Sequence, residues 1–234
     1  VEVLALYNVG AVKYTPPNNL GLVGYWSFNE GTTTTALDYS GNKNKGTLIN
    51  MALSSASSGW TNGKLGKALK FDGSNDYVNI ADTSVLEPSF PFSVSLWVKY
   101  TSTSNLVVLE KDGNNGYSVQ INGVVGQSGD ILMNTGGTGA GNRVTTARTD
   151  LNNNQWHHVV FVDTGSAAGG GKAYVDGVGN TGESDPGTPA YSTGAFVIGS
   201  RSGTFAFPGL IDDVRVYNRA LTTDEIKRLY NMGR

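Results

Sequence analysis

Cysteine is absent from the 234 residues. That excludes a disulfide framework, a thiolate zinc site and a cysteine nucleophile. It fits a reducing compartment, or a secreted protein whose core is large enough to need no staples. No run of 18 apolar residues occurs, so no membrane-spanning helix is predicted. There is no surplus of positive charge: 17 Lys+Arg against 19 Asp+Glu leave a formal charge of −2. A protein that binds nucleic acid by neutralising phosphates is therefore not expected. Charged residues are only 15% of the chain, but aromatic residues reach 10%, so the low charge does not mark disorder. Val1 opens the chain with neither Met nor signal peptide, which reads as a processed or trimmed end.

Glycine is abundant. Its 32 residues are about 14% of the chain, twice the ordinary ~7%. Without a collagen period, this points to many tight turns between many short strands. A dozen runs fit: 22–28, 67–73, 76–80, 92–100, 105–112, 116–122, 130–135, 142–148, 155–163, 172–177, 196–200 and 209–217. Turn signals separate them, among them Asp72-Gly73, Asn122-Gly123 and Asp176-Gly177. The fold class is all-β, a two-sheet antiparallel sandwich or jelly roll. Trp26, Phe28, Phe71, Trp97, Trp156 and Phe161 fall within or beside strand runs and read as the packing between the sheets.

A helix closes the chain. Thr222 with Glu225 three residues later forms a capping box, Asp224 and Glu225 suit the first turn, and Ile226, Leu229 and Tyr230 make an apolar stripe. Residues 2–10 (EVLALYNVG) match 225–233 (EIKRLYNMG) at Glu, Leu, Tyr, Asn and Gly. Val3, Leu6 and Tyr7 repeat the stripe. Residues 1–19, ending in a Pro-rich linker, are thus read as an N-terminal helical or extended segment, either chance similarity or the tail of a preceding repeat. The domain proper spans 20–234.

Candidate site residues are of two kinds. The loop 38–46 (DYSGNKNKG) offers Asp38, Ser40, Asn42 and Asn44 as oxygen donors, with one carboxylate and no closing Glu, so it reads as a calcium loop or as an Asx-type turn. Asp72, Asn75 and Asp76 form a second such cluster, read as a hairpin turn. Aromatic residues outside the core runs are Trp60, Tyr117, Tyr191, Phe205 and Phe207. Trp60 sits in a polar stretch that reads as an exposed loop, and 199–209 brings Arg201, Phe205 and Phe207 together. An exposed ring beside amides or Arg is the pattern of a sugar site. The nominated ligand-binding residues are Trp60, Tyr117, Arg201, Phe205 and Phe207, with Asn114, Asn115, Gln120 and Asn134 as unspecific polar partners. Glycan hydrolysis needs two facing carboxylates. Asp212 and Asp213 are neighbours on a strand and point to opposite faces, and so do His157 and His158. No catalytic residue is nominated.

The motifs GLVGYWSFNEG (21–31), DYSGNKNKGTL (38–48), GKLGKALKFDGSNDYV (63–78), FSVSLWVK (92–99), WHHVVFV (156–162), YVDG (174–177) and GLIDDVRVYNRALTTDEIKRLY (209–230) occur in this order. Together they resemble the laminin G-like, concanavalin A-like jelly-roll domains of bacterial surface and secreted proteins, over residues 20–232. The resemblance implies an extracellular or cell-surface module. It also implies a structural calcium near the first loop and the last strand, with Asp38, Asn42, Asn44, Asp212 and Asp213 as the metal set. The Glu-x-Asp-x-x-Glu run of the glucanases that share this fold is absent. The expectation is a noncatalytic binding or adhesion module for a glycan or protein ligand. The alternative is a structural repeat unit of a stalk or filament that assembles through neighbouring copies.

Overall fold

A computed structural model describes residues 19–53, 58–113, 115–122, 129–137, 142–165, 169–185, 187–201 and 203–234. The segment 2–10 that repeats the closing helix lies outside these residues. In chain order the strands are β1 Leu22–Trp26, β2 Thr35–Ala36, β3 Gly46–Ile49, β4 Gly59–Asn62, β5 Lys67–Asp72, β6 Tyr77–Ile80, β7 Phe92–Tyr100, β8 Leu106–Lys111 and β9 Tyr117–Ile121. They continue with β10 Ile131–Thr135, β11 Arg143–Thr146, β12 His157–Asp163, β13 Gly171–Val175, β14 Val178–Gly179, β15 Thr181–Asp185, β16 Phe196–Ile198 and β17 Pro208–Tyr217, followed by helix α1 Thr223–Met232.

The strands form two antiparallel sheets. One has eight strands in the order β14-β13-β12-β7-β17-β5-β4, with β1 also paired to β17; the other has nine, β15-β11-β10-β9-β8-β16-β6-β3-β2. The all-β sandwich expected from the sequence is the observed fold. Each of the dozen expected runs contains a strand. The five missed strands, β2, β3, β4, β14 and β15, have two to five residues, and four of them (β2, β4, β14 and β15) end a sheet, where a strand is less buried and its apolar pattern weaker.

Strand β7 shows how the pattern builds the layers. Phe92, Val94, Leu96, Val98 and Tyr100 all enter the core between the sheets. The alternate positions Ser93, Ser95 and Trp97 are buried on the outer face. What covers part of that face is α1, through a second apolar cluster of Leu22, Val160, Val162, Tyr174, Tyr217, Leu221, Ile226 and Leu229. The Trp97 ring stacks on Tyr230 at 5.7 Å, so Trp97 lies under the helix and not between the sheets as its strand context suggested. Trp156 precedes β12 and is only half-buried. The other four nominated core aromatics are in the inter-sheet core.

The expected capping box is present. Thr222 Oγ1 accepts from Glu225 N at 3.3 Å, and Glu225 Oε2 accepts from Thr222 N at 2.8 Å. Arg219 also holds the Glu225 carboxylate, donating at 2.7 and 2.9 Å, and pulls its pKa down to about 2. At Asp176 and Gly177 the φ values are 52° and 78°, and Val175 pairs with Val178 across them, as a two-residue type I′ hairpin requires.

These layers predict unequal losses. Thr222→Ala removes one cap bond and is expected to cost about 1 kcal/mol. Phe161→Ala opens a cavity between the sheets and is expected to cost about 3–5 kcal/mol. Urea titration of both variants measures the difference, and equal losses would contradict this division of the core.

Candidate functional site

A cleft of about 240 Å³ lies on the outer face of the nine-stranded sheet, lined by Asn105, Val107, Gln120, Leu132, Asn134, Arg143, Arg201 and Phe205. Strand register places the floor. Val107 and Leu132 are both opposite Gln120, and Asn134 is opposite Arg143. Gln120 is itself positioned by a bond from its Nε2 to Ser118 Oγ at 3.0 Å.

One wall is the loop after β16. Arg201 and Thr204 bond each other's backbone at 2.7 and 2.8 Å, and Val107 N donates to Phe205 O at 3.0 Å. Phe205 takes a φ of 50°, a left-handed conformation that a bulky residue rarely adopts. The residue is 56% exposed. The Arg201 guanidinium lies 5.4 Å from the ring centroid and donates through Nε to Glu110 Oε2 at 2.9 Å. Glu110 is buried, and burial raises its pKa against the pull of Arg201. The cleft thus combines a fixed aromatic face, a fixed guanidinium and several amides. That combination suits a neutral, hydroxyl-rich ligand with an apolar face.

Two of the five nominated ligand-binding residues, Arg201 and Phe205, line this cleft, together with Gln120 and Asn134 from the polar partners. The other three require correction. Tyr117 is fully buried and donates its hydroxyl to Leu86 O at 3.2 Å. Phe207 is fully buried against Tyr100 and Phe71. Trp60 is on strand β4, half-buried against the core, with Nε1 bonded to Thr33 O at 2.8 Å. Tyr191 packs on the core and donates to Pro88 O at 3.0 Å. Asn114 lies outside the described residues. Sequence reasoning missed Asn105 and Arg143. Their place depends on which strands become neighbours, and no local pattern encodes that.

The nominated metal set divides into two groups. Asp38 Oδ1 accepts from Tyr25 N and Ser40 N at 2.9 and 2.8 Å, and Oδ2 accepts from Asn44 N and Ser40 Oγ at 2.8 and 2.9 Å. Ser40 Oγ, Asn42 Nδ2 and Asn44 Nδ2 all donate to Val23 O, at 3.1, 3.1 and 3.0 Å. In this arrangement both Asp38 oxygens and the Val23 carbonyl already accept hydrogen bonds, and the two amides present N–H rather than oxygen to the carbonyl. Asp212 and Asp213 do not join them. Asp212 Oδ2 accepts from Lys64 N and Leu65 N, both at 2.8 Å. Asp213 accepts from Arg215 Nη2 at 3.0 Å, and Arg215 lies 4.2 Å from the Tyr25 ring. Among the described residues no three His, Asp or Glu side chains gather as a metal cluster. At the second oxygen-rich cluster, Asp72 Oδ1 accepts from Ser74 N at 2.8 Å, the turn that the sequence suggested.

Both adjacent pairs, 157–158 and 212–213, are buried at each residue. Neither histidine faces solvent; His157 Nδ1 meets Asp176 Oδ2 at 2.9 Å. His158 is wedged beside Trp97 and Tyr230, with Nε2 2.9 Å from Ser95 Oγ. Its Nδ1 has no partner, and burial lowers its pKa to about 3. This Ser–His contact has no orienting carboxylate and no access to solvent.

The matched family model covers residues 72–227, 156 of the 234 residues, and describes the concanavalin A-like lectin/glucanases superfamily. The chain belongs to this family, Laminin_G_3. No curated protein matches it in sequence. Among solved structures it is similar to domain 4 of AbnA, a GH43 extracellular arabinanase from Geobacillus stearothermophilus, solved in complex with arabinotriose. Identity is 26%, coverage 89% of this chain and 98% of that one, and the TM-score 0.63. It is also similar in fold to the binding domain of botulinum neurotoxin DC in complex with SialylT, at 14% identity, 93% and 52% coverage and TM-score 0.66. The binding domain of botulinum neurotoxin serotype C1 matches at 14% identity, 92% and 53% coverage and TM-score 0.65. The chain spans about half the length of these neurotoxin domains. No helix among the described residues is long and apolar enough to cross a membrane.

Asp212 makes a testable prediction. Burial, with Asp213 beside it, pushes its carboxyl up to about 7. The unfolded value is near ~3.9, so the folded state holds the proton more tightly. The stability this contributes is complete below pH ~4 and is lost as pH rises through about 7. Thermal or urea unfolding between pH 5 and 8 should show a fall on the order of 1–3 kcal/mol. Asp212→Asn, which can still accept both backbone bonds, should flatten that slope. An unchanged slope in the variant would assign the effect to another group.

Proposed function

We propose that this chain is a noncatalytic carbohydrate-binding module that takes a neutral oligosaccharide in the cleft of the nine-stranded sheet. The observation that carries this reading is the exposed Phe205 ring, held beside Arg201 at the rim of a cleft floored by Gln120 and Asn134. A ring of this kind stacks on the apolar face of a sugar. Amides and a guanidinium, which offer several donors and acceptors in fixed directions, satisfy the hydroxyls. The arabinotriose complex of AbnA domain 4 makes arabino-oligosaccharides the first ligands to test. Its extracellular enzyme supports an extracellular or cell-surface setting for this chain as well.

Calorimetric titration with arabinotriose and a panel of neutral oligosaccharides tests the proposal. Phe205→Ala should remove about 1–2 kcal/mol of apolar contact, about a tenfold loss of affinity, with the fold intact. Asn134→Ala should act in the same direction. Arg201→Ala is less informative, because it leaves the buried Glu110 without its cation. Binding of a neutral glycan that neither Phe205→Ala nor Asn134→Ala weakens would reject the cleft.

The same reading includes a structural calcium at the 38–44 loop. Its support is the set of oxygen-bearing side chains, Asp38, Ser40, Asn42 and Asn44, gathered beside the Val23 carbonyl. Rotating the Asn42 and Asn44 amides would turn their oxygens to the same place, with Asp38 as the carboxylate. At a hundredfold excess over Kd, such an ion adds about 2.7 kcal/mol to stability. That is roughly 5–10 °C in a domain of this size. Melting in calcium against EDTA should show the rise, and Asp38→Ala should lose it. Equal midpoints in the two buffers would leave the loop as an Asx-type turn.

A further inference from the structure

Arg143 and Arg201 line the Phe205 cleft, and no carboxylate is among its lining residues. By its lining alone such a cleft would seek an acidic ligand. A residue behind the lining reverses that preference. Glu110 of β8 is directly opposite Ser118 of β9 and Val197 of β16. Directly opposed residues project from the same face of a sheet. Gln120, which lines the cleft, is two residues along from Ser118 and shares its face. Glu110 is therefore on the cleft's side of the sheet. Its side chain is 4% exposed against 26% for Arg201, so a ligand in the cleft meets the guanidinium and not the carboxylate.

The bond from Arg201 Nε to Glu110 Oε2, 2.9 Å long, joins the two charges. A pair this close acts on a ligand as a dipole and not as a cation. The guanidinium has several N–H donors in fixed directions, so it can still donate to hydroxyl oxygens once Nε is taken. Its charge, however, is balanced. Arg143 supplies no free charge either, because it has an interaction partner of its own. Asp112, the other carboxylate that acts on Glu110, adds to the negative side. A carboxylate entering the cleft would give up its hydration for a site with no unbalanced cation. A neutral saccharide has no such loss, and the same bond holds Arg201 beside the Phe205 ring for it.

We propose that Glu110 sets the charge preference of this cleft, a role that rests on the cleft being the saccharide site. By balancing Arg201 from behind, Glu110 makes the cleft select neutral saccharides over acidic ones of the same length. It touches no ligand and is a positioning residue that acts through Arg201.

Calorimetric titration with arabinotriose and with trigalacturonate, an acidic saccharide of the same length, is the test. The full chain should hold trigalacturonate at least about tenfold more weakly than arabinotriose. Glu110→Gln keeps an oxygen for the Arg201 Nε–H and removes the charge. It should bind trigalacturonate about tenfold more tightly than the unaltered chain does, with a gain that shrinks as salt rises. Its affinity for arabinotriose should stay within about twofold. Adding Arg201→Gln should abolish the gain, and a melting curve shows that each variant is folded. Unchanged trigalacturonate binding in folded Glu110→Gln overturns the proposal, as does a gain that survives Arg201→Gln. So does an unaltered chain that binds trigalacturonate as tightly as arabinotriose, a comparison that needs no variant. An unaltered chain that binds neither arabinotriose nor any other neutral oligosaccharide rejects the cleft itself. Neutral binding with no change of charge preference in Glu110→Gln rejects the role of Glu110 alone.

Discussion

The eight-stranded sheet depends on where its last strand goes. β17 lies between β7 on one side and, in succession, β5 and β1 on the other. The chain must return from residue 208 to the middle of a sheet begun near residue 22, so these pairings join parts of the sequence that are far apart. A bulge between Asp212 and Arg215 interrupts the pairing with β7, and Asp213 adopts a φ of 52° there. Bulges bend a strand and redirect its side chains. Here the result is that Asp212 holds the backbone of the 64–65 turn while Asp213 is left to Arg215 under Tyr25. One irregular step thereby ties a loop, a buried cation and the first strand to the last.

Beyond β17 the chain has only the helix left, and its role is to cover what the sheet exposes. Trp97 and His158 are on the outer face of the sheet, where they would meet water. α1 brings Ile226, Leu229 and Tyr230 onto that face, and Gly233 allows the close approach: a Cβ there would come within 2.5 Å of the Trp97 ring. Lys70, Leu210 and Lys99 form one half-buried row across the remainder of that face. On the outer face of the other sheet Val107, Gln120 and Leu132 are buried, and Phe205 is exposed beside them. The sandwich buries its shared interior with apolar residues from both layers.

Much of the fold was legible because its signals are local. FSVSLWVKY alternates over nine residues, and each apolar position faces the inter-sheet core except Trp97, which its strand context suggested for the core and which lies on the other face under α1. Thr222 and Glu225 announce the helix start by their spacing. Asp176-Gly177 announces the hairpin by its need for positive φ. The candidate site was legible only in part, because exposure is not local. Trp60 reads as a loop residue from its polar neighbours, but pairing with β5 makes it a strand residue. Tyr117 and Phe207 look no different in sequence from Phe205. What separates them is that two are buried in the core and one is exposed on a left-handed backbone.

The sequence by itself determined the all-β class, the positions of the main strands along the chain, the capped helix and the family to which the chain belongs. Each rests on periodicity, turn chemistry or residue order along the chain. Only the tertiary structure decided which aromatic ring is exposed. It also decided that Asp212 and Asp213 are separate from Asp38, and that Gln120 and Asn134 share a cleft with Arg201. These depend on strand neighbours brought together from distant parts of the chain, as far apart as Leu22 and Tyr217. A period of two says which side chains share a face, but not what covers that face.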